Sequence, residues 1–312
     1  MRVVVALGGN ALLQRGEKPD AAVQIGNVHN AIMSLAPIAR EHELVLTHGN
    51  GPQVGILALE SAADPALTTP YPLDVLGAMT QGEIGYMVGQ ALQNALPNRQ
   101  VATILSQTLV STADPAFQNP TKFVGAVYTE EEAKQFAAKR GWVVKPDGKY
   151  WRRVVPSPRP QRVVETRLIR LLLNTGTVVV CAGGGGVPVV RDEVHGRLRG
   201  VEAVVDKDLT ASLLAEALEA DALLLLTDVS YVMRNFGEPN QEEIRHITPA
   251  GLRAEDFPAG SMGPKVDAVC HFVETTGDMA AIGGLEDAAK MLTGDAGTIV
   301  TPSGTYPEVA PR

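Results

Sequence analysis

Three apolar segments of this sequence each end in a turn rich in glycine and asparagine. They are Val3–Leu7 before Gly8-Gly9-Asn10, Leu44–Leu46 before Gly49-Asn50-Gly51, and Val178–Ala182 before Gly183–Gly186. A strand that runs through a glycine turn into a helix exposes backbone N–H groups where the helix dipole favours an anion. The carboxyl ends of parallel strands line one edge of a sheet. The repeated pattern therefore predicts a parallel sheet with anion-binding turns along one edge.

Strand-like and helical segments alternate along most of the 312 residues. This alternation indicates an α/β fold, in which helices cover both faces of a parallel sheet. The chain is long enough for one large α/β domain or for two lobes. A net charge of −8 and the lack of a long Lys/Arg block argue against nucleic acid as a partner.

The short apolar runs and the small number of cysteines indicate the cellular compartment of the protein. The longest apolar run, Ala222–Leu226, is too short to span a bilayer, and the apolar stretch before Gly8 is shorter than a signal-peptide core. The two cysteines, Cys181 and Cys270, are too few for a disulfide framework and are expected to be buried thiols. These features predict a cytoplasmic protein that does not bind membranes.

The pattern changes between residues 114 and 158, where prolines interrupt the alternation of strands and helices. One helix from Thr129 to Lys139 and one hairpin, Trp142–Lys145 with Tyr150–Val155, are predicted there. This stretch is also the most basic part of the chain. We interpret residues 114–158 as an inserted subdomain, a lid, within a single domain of residues 1–312. The alternative is that these residues form a solvent-exposed insertion without a function.

Lys122, Lys207 and Lys265 stand in turn-rich or acid-flanked segments where a phosphate could be held. One of Asp206 and Asp208 suffices to cap a helix, and a lysine in the first turn of a helix opposes the dipole. Lys265 is expected in the first turn of another helix. An ordinary helix start and solvated lysines are the alternative interpretations. Taken together, the three lysines favour a phosphoryl-transfer enzyme with two anionic reactants.

Motifs of other chemistries fit poorly. The segment around Lys265 lacks the Lys-Ser/Thr pair of a Walker A loop, and neither Gly49–Val54 nor Gly183–Pro188 completes a dinucleotide-binding pattern. The histidines show no metal-ligand spacing. Ser261 does not stand in a nucleophile elbow, which makes it a poor candidate nucleophile. His48 could act as a proton shuttle or could hold the backbone in position.

Several segments, in order along nearly the whole chain, resemble the motifs of the carbamate kinases. They are Gly8–Ala11, Thr47–Gly55, Asp114–Lys122, Arg153–Pro158, Gly183–Val189, Val205–Asp208 and Gly260–Lys265. The resemblance implies the amino-acid kinase fold, an open αβα sandwich around a mostly parallel sheet of about eight strands, with an inserted protruding subdomain. It also implies reversible phosphoryl transfer between ATP and carbamate, used in many organisms for ATP synthesis in arginine or related catabolism.

The same resemblance implies roles for individual residues. The catalytic residues would be Lys122, Lys207, Asp208 and Lys265, with Asp208 organising the lysines. Carbamate or carbamoyl phosphate would be held by Gly8, Gly9, Asn10, Gly49, Asn50 and Gly51. The nucleotide would be held by Lys207, Asp228, Tyr231, Met262, Gly263 and Lys265. Mg²⁺ would arrive on ATP or ADP rather than at a metal site of the protein, and the protein would be a homodimer.

Two alternative functions remain open at this point. Another small-acid kinase of the same fold would act on an amino acid or its acetyl derivative, for which no selective pocket is identifiable. A non-catalytic nucleotide-binding protein would not need Lys122. Carbamate is already an anionic oxygen nucleophile, so the lack of an obvious general base agrees with carbamate kinase chemistry.

Overall fold

The central feature of the fold is an eight-stranded sheet, seen in a computed structural model that describes residues 1–14, 16–192, 194–255, 257 and 262–306. Neighbouring strands are parallel except for one antiparallel pair, Met279–Gly284 with Thr298–Val300. In spatial order the strands are His246–Ile247, Thr298–Val300, Met279–Gly284, Ala222–Thr227, Arg2–Leu7, Glu43–His48, Val178–Val180 and Val101–Thr103. The prediction of a mostly parallel sheet is confirmed.

Helices cover both faces of this sheet because alternate residues of each strand point to opposite sides. On the strand Arg2–Leu7, Val4 and Ala6 pack into one hydrophobic core, and Val3 and Val5 pack into the other. In chain order the helices are α1 (Ala21–Glu41), α2 (Gly51–Ala63), α3 (Leu73–Ala95), α4 (Glu130–Arg140), α5 (Thr166–Leu173), α6 (Lys207–Ala217), α7 (Pro249–Ala254), α8 (Met262–Thr276) and α9 (Ala288–Met291). The first core includes residues of α5, α6 and α8, and the second includes residues of α1, α3 and α9.

Three smaller sheets contain the other described strands. A four-stranded sheet has the order Leu198–Gly200, Val187–Arg191, Gln107–Leu109 and Arg162–Val163, and a two-stranded sheet pairs Val232–Arg234 with Glu242–Ile244. The third lies within residues 114–158, the segment predicted to be an inserted subdomain. Within the described residues, every helix is too short or too polar to cross a membrane.

The inserted subdomain contains a separate antiparallel sheet of three strands and the helix α4. The strands are, in spatial order, Lys122–Tyr128, Tyr150–Val155 and Val143–Asp147. A small aromatic cluster holds α4 to the sheet: the ring of Phe136 lies 4.9 Å from Tyr128 and 5.5 Å from Trp142, centroid to centroid. The sequence predicted the helix and the hairpin, but not the strand Lys122–Tyr128.

The inserted subdomain packs against the main domain, which is the rest of the chain. Val155 joins Val54, Leu73 and Leu76 in a small buried apolar cluster between the two parts. Arg153 Nη2 also donates to Glu202 Oε1 at 2.7 Å. Both contacts involve the last strand of the subdomain, and Val124 of its first strand packs against the same cluster.

Several predicted boundaries and faces differ from the structure. The sequence pattern predicts a helix from about Gln161 to Asn174, but α5 begins at Thr166 because Arg162–Val163 is used as a strand of the four-stranded sheet. The strand predicted over 177–182 ends at Val180, so the buried Cys181 follows it rather than lying within it. The sequence pattern predicts that Leu209, Leu213 and Leu218 form the apolar face of α6; Leu218 is buried and Leu209 packs against the core, but Leu213 is only half-buried and does not join it.

Candidate active site

A cleft of about 850 Å³ opens at the carboxyl edge of the large sheet. Its walls come from the turns after the strands Arg2–Leu7, Ala222–Thr227 and Met279–Gly284, and from the first turns of α6 and α8. Ligands of open α/β sheets bind in the crevice outside this edge. The predicted site residues that line the cleft are Gly8, Gly9, Asn10, Lys207, Asp228 and Lys265.

Asp208 holds two of the predicted lysines together. Lys207 Nζ lies 2.5 Å from Asp208 Oδ1, and Lys265 Nζ lies 3.1 Å from Asp208 Oδ2. The side chains of Asp208 and Lys265 are only 5% and 8% exposed. Burial alone would raise the pKa of Asp208, but Lys207 and Lys265 outweigh it and hold that pKa below its usual range. The carboxylate is therefore ionised, and it fixes two ammonium groups that line the cleft.

Lys207 lies in an electrostatically unfavourable position. Burial lowers the pKa of Lys207 below its ordinary value, and the nearby charge of Lys265 acts in the same direction, although Asp208 opposes both. A second anion beside the two lysines would offset this cost. The arrangement is therefore one that favours binding of an anion such as a phosphate.

The first turn of α6 is fixed by Asp206, the residue before Lys207. Asp206 Oδ1 accepts hydrogen bonds from the backbone N–H groups of Asp208 at 3.0 Å and Leu209 at 3.3 Å. A side-chain oxygen at this position satisfies N–H groups that have no partner inside the helix. Asp206 is therefore the one aspartate that caps the helix, as the sequence predicts. Asp208 is not needed for the cap and binds the lysines instead.

Lys122 reaches the same helix from the inserted subdomain. Its Nζ donates to Asp206 Oδ2 at 2.7 Å, although the two residues are 84 positions apart in the chain. The other two predicted lysines bind Asp208, two residues further along. The structure thus brings Lys122, Lys207 and Lys265 to the first turn of α6.

The glycine turns of neighbouring strands pack against one another. A Cβ atom added to Gly49 would lie 3.2 Å from the backbone nitrogen of Gly9 and 3.6 Å from Cδ of Lys207. Such close contacts leave little room for any side chain. Asn10 Nδ2 donates to Asp228 Oδ2 at 3.1 Å, which joins the first turn to the end of the strand Ala222–Thr227. Gly49 therefore lies against two residues that line the cleft.

His48 and Asn50 flank Gly49 and have fixed partners. His48 is buried and hydrogen-bonds through Nδ1 to the carbonyl of Gly49 at 2.9 Å. Burial lowers the pKa of His48 to about 4, so the ring is neutral near pH 7 and Nδ1–H donates. This favours the positional role over a proton shuttle. Asn50 Nδ2 donates to Thr80 Oγ1 at 2.9 Å, and Gly51 is the first residue of α2.

Three residues predicted to bind the nucleotide do not line the cleft. The ring of Tyr231 lies beneath the guanidinium of Arg245, 5.0 Å from centroid to Cζ. Met262 and Gly263 are the first residues of α8. Gly260 and Ser261, which complete the predicted motif before Lys265, lie outside the described residues.

The cleft also includes residues that sequence reasoning missed. Ser230, Gly284, Glu286 and Asp287 line it beside Asp228. A signal was present, because the strand Met279–Gly284 ends in two glycines and the strand Arg2–Leu7, at the same edge, runs into Gly8 and Gly9. In the part of the chain that the structure describes, no three His, Cys, Asp or Glu side chains group as a metal site.

Comparison with known proteins agrees with this fold and cleft. The model of the amino acid kinase family matches residues 1–282. Carbamate kinase from Rhizobium meliloti is 53% identical over 97% of this chain and 94% of its own length, and carbamate kinase from Haemophilus influenzae is 51% identical over 96% and 97%. The solved structure of carbamate kinase from Giardia lamblia bound to AMP-PNP has a TM-score of 0.88 and 43% identity, covering 96% of this chain and 98% of that one.

The chain therefore belongs to the amino acid kinase family and, within it, to the carbamate kinases. The resemblance and the fold class expected from the sequence are both confirmed. Members of this family are ATP-dependent phosphotransferases.

Proposed function

We propose that this protein catalyses the reversible reaction of ATP with carbamate to give ADP and carbamoyl phosphate. The observation that carries the proposal is the buried Asp208 carboxylate holding Lys207 and Lys265 beside the glycine turns of a cleft at the carboxyl edge of the sheet. Identity of about half the residues with carbamate kinases over nearly the full chain supports it.

Charge neutralisation is the main requirement of this reaction. Carbamate already carries an anionic oxygen, so no side chain has to remove a proton before it attacks the γ-phosphorus. Two unit charges 4 Å apart repel by about 4 kcal/mol at an effective dielectric near 20, so the approach of two anions needs fixed positive charge. Lysines and backbone N–H groups of the cleft supply it.

The proposed division of labour follows the position of each group. Lys207 and Lys265 hold the nucleotide phosphates and the charge that develops between them, while Asp208 orients both ammonium groups. Lys122 acts on the transferred phosphoryl group from the inserted subdomain, which serves as a lid. The carbamate side is assigned to Gly8, Gly9, Asn10, Gly49, Asn50 and Gly51, and the nucleoside side to Asp228, Tyr231, Met262 and Gly263.

Mg²⁺ is proposed as part of the nucleotide substrate. This cation keeps several waters and binds through substrate phosphates with one or two carboxylates. Asp228 and Asp287 line the cleft and offer carboxylates of this kind. We further propose that the enzyme works as a homodimer in the cytoplasm and makes ATP in arginine or related catabolism.

Formation of ATP from carbamoyl phosphate and ADP, coupled to hexokinase and glucose-6-phosphate dehydrogenase, tests the proposal. The expected result is Mg²⁺-dependent turnover with carbamoyl phosphate and none with acetyl phosphate. In the reverse direction, ATP consumption with N-acetylglutamate or aspartate but not with carbamate would identify a different small-acid kinase. Binding of ADP without turnover in either direction would identify a nucleotide-binding protein and contradict the proposal.

A further inference from the structure

Asp206 bonds to two parts of the chain at once. One of its carboxylate oxygens, Oδ1, caps α6 through the backbone N–H groups of Asp208 and Leu209. The other, Oδ2, accepts a hydrogen bond from Lys122 Nζ at 2.7 Å. The cap needs only one oxygen, and an uncharged side chain could provide it. The second oxygen and the negative charge therefore serve the contact with Lys122.

The ion pair between Lys122 and Asp206 is poorly suited to stabilising the fold. The Lys122 side chain is 43% exposed, and ion pairs with so much access to water contribute little to stability. An ammonium group has three N–H donors, and Asp206 takes one of them in this structure. The remaining donors can bind an anion while the contact with Asp206 persists.

A second carboxylate just before α6 binds the inserted subdomain as well. Glu202 Oε1 accepts from Arg153 Nη2 at 2.7 Å, and Glu202 Oε2 accepts from the backbone N–H of Leu73 at 2.8 Å. Two acids that lie four residues apart in one segment of the main domain thus contact the subdomain. Of these two acids, only Asp206 adjoins Lys207. The negative charge of Asp206 favours the protonated form of Lys207.

We propose that Asp206 is a positioning residue for phosphoryl transfer, which holds the Lys122 ammonium group beside Lys207 before the substrate binds. This inference rests on the proposed function and assigns to Asp206 a role beyond capping α6. A preorganised charge stabilises the transition state without having to be reoriented during the reaction. Without Asp206, the long Lys122 side chain would sample many rotamers, and less of its charge would be present at the reacting group.

The substitution Asp206→Asn tests this role because asparagine caps helices as well as aspartate does. With carbamoyl phosphate and ADP, kcat should fall about tenfold or more, while the ADP dissociation constant from calorimetry stays within about twofold. In a Lys122→Ala background the same substitution should cause no further loss of kcat. Asp192→Asn is the matched control, since Asp192 accepts hydrogen bonds from the backbone N–H groups of Val194, His195 and Arg197.

Three results would overturn the inference. The first is an unchanged kcat in Asp206→Asn. The second is a raised kcat, which would mean that Asp206 keeps Lys122 away from the substrate. The third is a fall in kcat that adds fully to the fall caused by Lys122→Ala. If Asp206→Asn does not fold, Asp206→Ser provides an uncharged cap, and the same cycle with Lys122→Ala decides. Absence of ATP formation by the unsubstituted enzyme would instead contradict the proposed function, so the two failures are distinguishable.

Discussion

Gly184 packs directly against the side-chain amide of Asn50. A Cβ atom added to Gly184 would lie 2.3 Å from Asn50 Nδ2, and the glycine has a φ of +64°. Both facts exclude an ordinary side chain at this position. Asn50 Nδ2 also donates to Thr80 in α3, so the turn after Val178–Val180 and α3 together fix the orientation of Asn50.

Gly184→Ala is expected to weaken substrate binding through Asn50. The left-handed backbone should cost about 1 to 3 kcal/mol of stability, and the methyl group should displace the Asn50 amide. The KM for carbamoyl phosphate should therefore rise. Gly277→Ala is the control, because Gly277 has a φ of +81° with nothing within 4 Å of an added Cβ. Equal KM values in the two variants, each checked for folding by urea denaturation, would contradict a role of Asn50 in binding.

Lys207→Ala and Lys265→Ala should each reduce kcat by about 10²- to 10³-fold, the effect of removing one preorganised charge-stabilising donor. Each substitution also leaves the buried Asp208 with one of its two described lysine partners. Thermal unfolding must therefore accompany the coupled assay. The exposed Lys134, which pairs with Glu130 on α4, provides a control in Lys134→Ala. Folded variants with kcat within a few-fold of the control would remove the two lysines from the catalytic machinery.

His48 should make the fold sensitive to mild acid. Its folded-state pKa of about 4 lies below the ordinary 6.5, so between these pH values the unfolded chain binds a proton that folded His48 does not. Stability should therefore fall as pH drops from about 6.5 to about 4, by about 3 kcal/mol from this side chain. His48→Asn, whose amide can donate to the Gly49 carbonyl, should be less stable at pH 7 but lose less over this window. Urea denaturation at several pH values measures the difference, and equal slopes would refute the assignment.

Deletion of residues 114–158, with a short linker across the gap, should leave a folded main domain. The segment adds no strand to the eight-stranded sheet, and its described apolar contacts with the main domain are few: Val124 and Val155 pack with Val54, Leu73 and Leu76, and Phe117 packs against the cluster that contains Val110. The shortened chain should unfold cooperatively in calorimetry and bind ADP, but it should not form ATP. If aggregation of the exposed apolar surface obscures the result, the same deletion with Leu73→Ser relieves it. A shortened chain that still lacks a cooperative transition would show that the subdomain belongs to the core.

Local patterns in the sequence predicted the parts of the fold and site that depend on near neighbours. Glycine turns after apolar strands correctly predicted the edge of the sheet that carries the cleft. The Asp206-Lys207-Asp208 sequence predicted a capped helix whose first residue opposes the dipole, and the capped helix is present. These features are short-range, because a cap or a turn is specified within a few residues.

The sequence could not predict features that depend on distant residues or on irregular pairing. The strand Lys122–Tyr128 was missed because its pairing with Tyr150–Val155 is irregular between Val124 and Tyr128. Its sequence therefore lacks the regular alternation of apolar and polar residues that predicts a strand. The contact between Lys122 and Asp206 joins residues 84 positions apart. Tyr231 carries an aromatic ring suited to a base, but only the structure shows that Arg245 occupies one face of it.

The pairing of lysines with aspartates at the first turn of α6, beside the cleft, has a consequence for product release. Lys122, Lys207 and Lys265 share Asp206 and Asp208, which leaves a single excess positive charge among these five groups. When a nucleotide departs, the lysines keep carboxylate partners already in place instead of becoming bare charges in a cleft. Departure of a polyanion is easier from such a site than from three unpaired lysines. The carboxylates of Asp206 and Asp208 therefore suit an enzyme that must release ATP in every turnover, rather than a protein that stores it.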